Sequence, residues 1–171
     1  KLRGLRRGDW REYLTRAADA KPALAEARAI LVLSAIFWRS AWKYRARAFR
    51  YCFWDAGTVL ANLLAAASAE GIAAEIVTAF QDAPVERLLG VDGEREAAVC
   101  LVALGRKRST PGLAEHTPSI PLMPLELETV PLSQHETAFD DLTKIHLASR
   151  LESSAEVHAV ANATLPVEPV P

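Results

Sequence analysis

Residues 38–55, WRSAWKYRARAFRYCFWD, hold five cations and seven aromatic rings in eighteen positions, with a single acid at the end. Four kinds of chemistry use such a mixture: nucleic-acid binding, docking on a membrane surface, holding an anionic cofactor, or simply solvating one face of a helix. Read as a helix, the stretch puts Arg39, Lys43 and Arg47 on one stripe that Arg50 continues, because residues four apart share a face. Like charges at that spacing repel by a few tenths of a kcal/mol per pair unless an anion offsets them. Trp38, Trp42, Phe49 and Phe53 fall on a neighbouring face and are expected to seal against a core. Nucleic-acid binding needs rings and cations on the same open face, so rings turned inward argue against it. A membrane-surface helix also wants a basic face, but the apolar strands flanking this one disfavour that use.

The elements that position this stretch can be read from hydrophobic periodicity. Residues 8–20 form a helix with Asp9 as N-cap, ended by Pro22. Residues 29–37 are a continuous apolar run of strand length, the pattern of a strand covered on both faces. The cationic stretch is helical over 39–51, and a further helix runs from Asp55 to a C-terminal Gly71. Residues 72–80 and 97–105 are two more strands. Between them Asp82 caps a short helix that Gly90 closes. Residues 109–134 are rich in Pro, Ser and Thr, a linker or extended arm, and a polar helix follows at 136–161. The helix at 55–70 is apolar or small on nearly every side, as buried helices are. It is either a core helix or one packed against both its own sheet and a partner.

Composition narrows the field. Residues 1–50 hold thirteen Lys and Arg against four Asp and Glu, while the whole chain carries a formal charge of -1. That asymmetry points to an anion site or to halves that attract one another. Cys52 and Cys100 make no CxxC, and His116, His135, His146 and His158 show no metal-ligand spacing, so no metal site is expected. No secretory signal is expected, and the apolar run at 29–38 is too short to span a bilayer. The expected setting is cytoplasmic.

A series of short motifs then falls in order: Lys43-Tyr44, Arg50-Tyr51, Asp55-Ala56-Gly57, Asn62-Leu63, Gly71-Ile72, Ala79-Phe80, Leu88-Leu89-Gly90-Val91-Asp92 and Leu104-Gly105. Over some sixty-five residues this order resembles the C-terminal half of nitroreductase-like flavin enzymes. The likeness is nearest to the azoline dehydrogenases, which oxidise thiazolines and oxazolines in peptide natural products. The resemblance implies an α+β fold, a nitroreductase-like layered arrangement with a central sheet flanked by helices, incomplete at its N-terminus. It also implies FMN bound in the interface of a homodimer or of two tandem domains, with the 55–70 helix at the dimer core. A peptide or small molecule would be the substrate, with no part for nucleic acid or membrane.

The resemblance also implies site residues. The backbone N–H at Ala79-Phe80 would lie near flavin N5, although Ala79 stands where relatives have Gly. Arg106, Lys107 and Arg108 lie where relatives reach the phosphate. Lys43 and Tyr44 match a pair that removes the substrate proton as hydride leaves; Arg39 and Arg47, one turn to either side, would help Lys43 give up its proton. The Arg-x-Ser-x-Arg phosphate clasp of relatives is absent from LRGLRRGD. The division expected is 1–108 as the C-terminal portion of an FMN domain, 109–135 as arm, and 136–171 as a helical tail bridging to a second domain. The function implied is an FMN-dependent oxidoreductase, with the chain alone expected to bind FMN weakly or not at all; a non-catalytic scaffold or pseudo-dimer half of the same fold is the alternative.

Overall fold

The computed structural model describes residues 3–106, 122–125 and 132–163. Three strands form one antiparallel sheet, ordered β1 (Ala27–Ile36), β3 (Glu96–Arg106), β2 (Ala74–Val77). Around it lie α1 (Arg11–Ala17), α2 (Pro22–Ala25), α3 (Trp38–Tyr44), α4 (Ala48–Ala69), α5 (Asp82–Leu89), α6 (Asp140–Ser149) and α7 (Ser154–Ala161). This is the α+β layered arrangement expected. β3 is the central strand and carries three of the fully buried side chains, Cys100, Leu101 and Val102. β1 is an edge strand in this chain and not covered on both faces, with Leu31 38 % exposed.

Two cores flank the sheet. In the first, Leu14, Leu24, Val85 and Leu88 from α1, α2 and α5 pack on Val77, Leu101 and Ala103. In the second, Phe37, Ala41, Ala48 and Cys52 meet Ala97 and Leu142 of α6.

Several boundaries differ from the sequence expectation. The helix expected over 39–51 breaks: α3 stops at Tyr44, Arg45 takes φ +53, a 3-10 turn follows over Arg45–Arg47, and α4 starts at Ala48. A non-glycine residue held at such a φ costs on the order of 1–3 kcal/mol. One helical wheel therefore does not hold across the stretch. Trp38 and Phe49 do pack on the second core, but Trp42 and Phe53 are 63 % and 44 % exposed. Asp9 is not the N-cap of α1; Trp10 is, although Asp9 Oδ1 accepts the Arg11 N–H at 3.0 Å. Asp82 opens α5 as its first residue, after Gln81, and its carboxylate serves the distant Leu151 N–H instead. The polar helix at 136–161 is two helices, split where Arg150 turns extended and Ser153 caps α7 through a capping box with Glu156. Most of the arm at 109–134 lies outside the described residues.

α4 is the largest surprise in burial. Of its 22 residues only Ala48, Cys52, Ala56 and Ala67 are buried, and Trp54 and Val59 are 59 % and 56 % exposed. The segment Trp38–Ala69 is, by length and composition alone, long and apolar enough to cross a membrane. Its break at Arg45, and the seating of Cys52 and Ala56 beneath it, suit a domain helix with one face open.

Candidate functional site

The chemistry-bearing part of the fold is the α3–α4 corner. The strained turn at Arg45 ends α3 directly after Lys43 and Tyr44, so both project from the last turn of a short helix and are exposed. Lys43 Nζ lies 5.2 Å from the centre of the Tyr44 ring. Tyr44 meets Tyr51 edge-on at 4.5 Å, and Tyr51 meets Trp54 at 5.3 Å, so a chain of rings runs from α3 onto α4. The three-cation stripe expected on one helix is not formed. Arg39 and Lys43 share α3, while Arg47 lies beyond the break.

Beside these rings is a cavity of about 710 Å³, bounded by Arg47, Phe49, Arg50, Phe53 and Trp54 of the corner and by Ile145 of α6. The Arg50 guanidinium stands over the Trp54 ring, its central carbon 5.9 Å from the ring centre. Phe53 also faces a second, smaller cavity of about 130 Å³ with Phe80, Asp82 and His146. The cavity at the corner thus adjoins the end of β2.

Ala79 and Phe80 continue β2 and are 7 % and 4 % exposed. Phe80 belongs to the first core, and Gln81 is tied through its N–H to Ala17 O at 2.8 Å. The side chains are therefore structural, and what this segment can offer a ligand is backbone. Arg106 closes β3 at the other end of the sheet. Val77 is level with Leu101, whereas Arg106 pairs with Ala27. Five strand residues separate those levels, roughly 16 Å at about 3.3 Å each. Lys107 and Arg108 lie outside the described residues. Among the described residues the structure does not bring Ala79-Phe80 and the end of β3 together. Ala79-Phe80 could offer backbone to the ring end of a flavin, with the neighbouring rings beside it; the side chains at the end of β3 lie outside the described residues.

A polar cluster that sequence reading missed ties the tail to this region. Arg150 makes two hydrogen bonds to Glu86, each 2.9 Å, and a third to Gly93 O at 3.2 Å. Gly93 O also lies 2.7 Å from His146 Nε2, which donates to it. Gly93 has φ +73, and a Cβ there would overlap the Glu86 carboxylate, so glycine permits this close approach. Asp82 Oδ2 accepts the Leu151 N–H at 2.7 Å. Burial raises the Asp82 pKa above the usual carboxylate range, against the Leu151 N–H and Arg150, which lower it. Burial likewise pushes the Cys52 and Cys100 thiols up. No local pattern announces contacts between residues more than fifty positions apart; the one hint is His146 four places after Leu142, on the apolar side of α6.

Residues 4–106 match the model of the nitroreductase family. Among solved structures, a putative nitroreductase from Anabaena variabilis is 25 % identical, with a TM-score of 0.66 over 86 % of this chain. The chain spans 30 % of the length of that protein. None of the curated proteins matches.

Proposed function

Because this chain belongs to the nitroreductase family, we propose that it is an FMN-dependent oxidoreductase domain of azoline dehydrogenase or nitroreductase type. The observation that carries this is the family match over residues 4–106, which encloses the Lys43-Tyr44 corner and the Ala79-Phe80 segment. When bound, FMN supplies the hydride chemistry at N5. The chain's own residues offer backbone N–H at Ala79-Phe80 and, at Lys43 Nζ with Tyr44 beside it, a group able to take a proton from a bound substrate. That pair favours the dehydrogenase over the nitroreductase, which needs no such base.

The open face of α4 beyond Trp54 is read as the surface that a second copy or a tandem second domain covers. Its exposed Gly57, Ala61 and Ala65 would let another helix approach closely. A cofactor shared across that interface would also draw its phosphate contacts from residues that this chain does not bring to Ala79-Phe80. The same gap favours the second reading, a scaffold half of the fold with no turnover of its own. Titrating the whole chain with FMN separates the two. Flavin bound with absorbance near roughly 450 nm, followed by oxidation of a thiazoline, supports the enzyme. Bound flavin without turnover, or no binding at millimolar FMN, leaves the scaffold. The expected setting is cytoplasmic, with no nucleic acid or membrane engaged.

A further inference from the structure

We infer that the cavity under Arg47 and Arg50 is a binding site for a planar aromatic carboxylate. The volume, about 710 Å³, lies within the range of small-molecule sites, roughly 300–1,000 Å³. Its walls are rings: Phe49, Tyr51, Phe53 and Trp54, the last two 44 % and 59 % exposed. Rings left open to water offer stacking surface to a flat ligand.

The charge arrangement selects the ligand's polar end. Among the described residues four arginines take carboxylates (Arg11 with Asp9, Arg16 with Glu12, Arg95 with Glu136 and Arg150 with Glu86), and Arg6 takes backbone carbonyls. Arg47 and Arg50 make no hydrogen bond or ion pair among the described residues, and the contact Arg50 does make is with the Trp54 ring. Asp141 is the one acid on the cavity wall. Two guanidiniums against one carboxylate leave a net positive rim. A guanidinium fork matches a carboxylate in two parallel hydrogen bonds while its flat face lies on an aromatic ring. A cationic ligand would meet repulsion there, and a wholly apolar one would strip water from the guanidiniums with nothing in exchange.

The cavity also adjoins Tyr51, whose ring lies 4.5 Å from that of Tyr44. Tyr51 thus links the cavity wall to the ring beside Lys43. What happens to a bound ligand rests on the function proposed above; the binding itself does not.

Calorimetric titration of the whole, flavin-free chain with 2-naphthoate, naphthalene-2-methanol and 2-naphthylmethylammonium tests the site. Naphthoate is expected to bind about tenfold or more tighter than the alcohol, the ordinary gain for charge-assisted hydrogen bonds, and the ammonium more weakly than either. Arg50→Gln and Arg47→Gln, both at exposed positions, should each reduce that preference, and Trp54→Ala should weaken naphthoate and alcohol alike. Equal binding of the three probes, a preference unchanged in both arginine variants, or no saturable binding would overturn the site. So would competitive displacement of naphthoate by FMN, since the cavity would then be the flavin's. Flavin content and thiazoline turnover are measured apart from this, so a chain that fails as an oxidoreductase can still hold naphthoate.

Discussion

Glu86 and Arg150, sixty-four positions apart, face each other through two hydrogen bonds of 2.9 Å, with side chains only 6 % and 13 % exposed. The pair joins α5 to the hinge between α6 and α7, and Gly93 O and Leu151 N–H close the same cluster. The described part of the tail is in this way packed onto the domain that precedes it.

Removing one partner leaves a buried charge alone, which costs about 3–5 kcal/mol. Arg150→Met is expected to lower unfolding stability by that amount and to speed amide exchange in α6 and α7. Replacing both, Glu86→Leu with Arg150→Met, should recover most of the loss, because apolar replacement of a buried pair is often neutral or stabilising. Urea melts of the three proteins check this; a single variant within about 1 kcal/mol of wild type would mean that the pair contributes no more than a surface one.

Asp82 gives a pH dependence of definite sign. Its pKa is raised in the folded state by burial, with Glu86 adding to the rise and the Leu151 N–H, Arg150 and His146 opposing it. The folded protein therefore holds that proton to higher pH than the unfolded chain does. Asp82 contributes stability that is fully present below its ordinary value of 3.8 and is lost as pH rises through the folded value. Asp82→Asn should flatten this fall just above pH 3.8. Asp92 acts the other way: burial alone would raise its pKa, but N–H groups of Glu94, Arg95 and Glu96 bring it below the usual range. Its contribution is present above the ordinary value and is lost on acidification. Melts from pH 3 to pH 6 of wild type and both asparagine variants resolve the two slopes.

The Lys43 assignment predicts a kinetic loss without a binding loss. In flavin-loaded protein, Lys43→Ala should reduce thiazoline turnover about 10²–10⁴-fold, the usual contribution of a positioned base, with flavin content unchanged. Tyr44→Phe keeps the ring under Lys43 and should cost less than Lys43→Ala. Near-normal turnover in Lys43→Ala would leave it an ordinary solvated lysine.

Interface burial of α4 predicts that the chain associates and that Ala65→Arg or Ala66→Arg prevents it. Both alanines are exposed within one chain, so neither variant disturbs the chain's own core, and each would leave an unpaired charge in the contact at a cost of several kcal/mol. Sedimentation of wild type and variants decides this. A monomeric wild type, or an unchanged oligomer in both variants, defeats the interface.

How much of this was legible beforehand depended on the range of the interactions involved. Period and punctuation revealed the three strands and the short helix before Gly90, because continuous apolar runs and a left-handed glycine act within a few residues; the α+β layering came from the family resemblance. The ordered motifs from Lys43-Tyr44 to Leu104-Gly105 pointed to the family for the same reason: they are local. What the sequence could not determine was anything requiring two distant segments at once. The positive φ of Arg45 is imposed on a residue with no special propensity for it, and it turned Trp42 and Phe53 outward when periodicity had placed them inside. Asp82, read as a local cap, was drawn instead to Leu151. Glu86 and Arg150 carried no spacing signal, and His146 only its place four after Leu142, since burial alone makes their pairing obligatory. Antiparallel pairing sets the backbone of Phe80 and Arg106 toward opposite ends of the sheet, a separation that only the register of the strands decides.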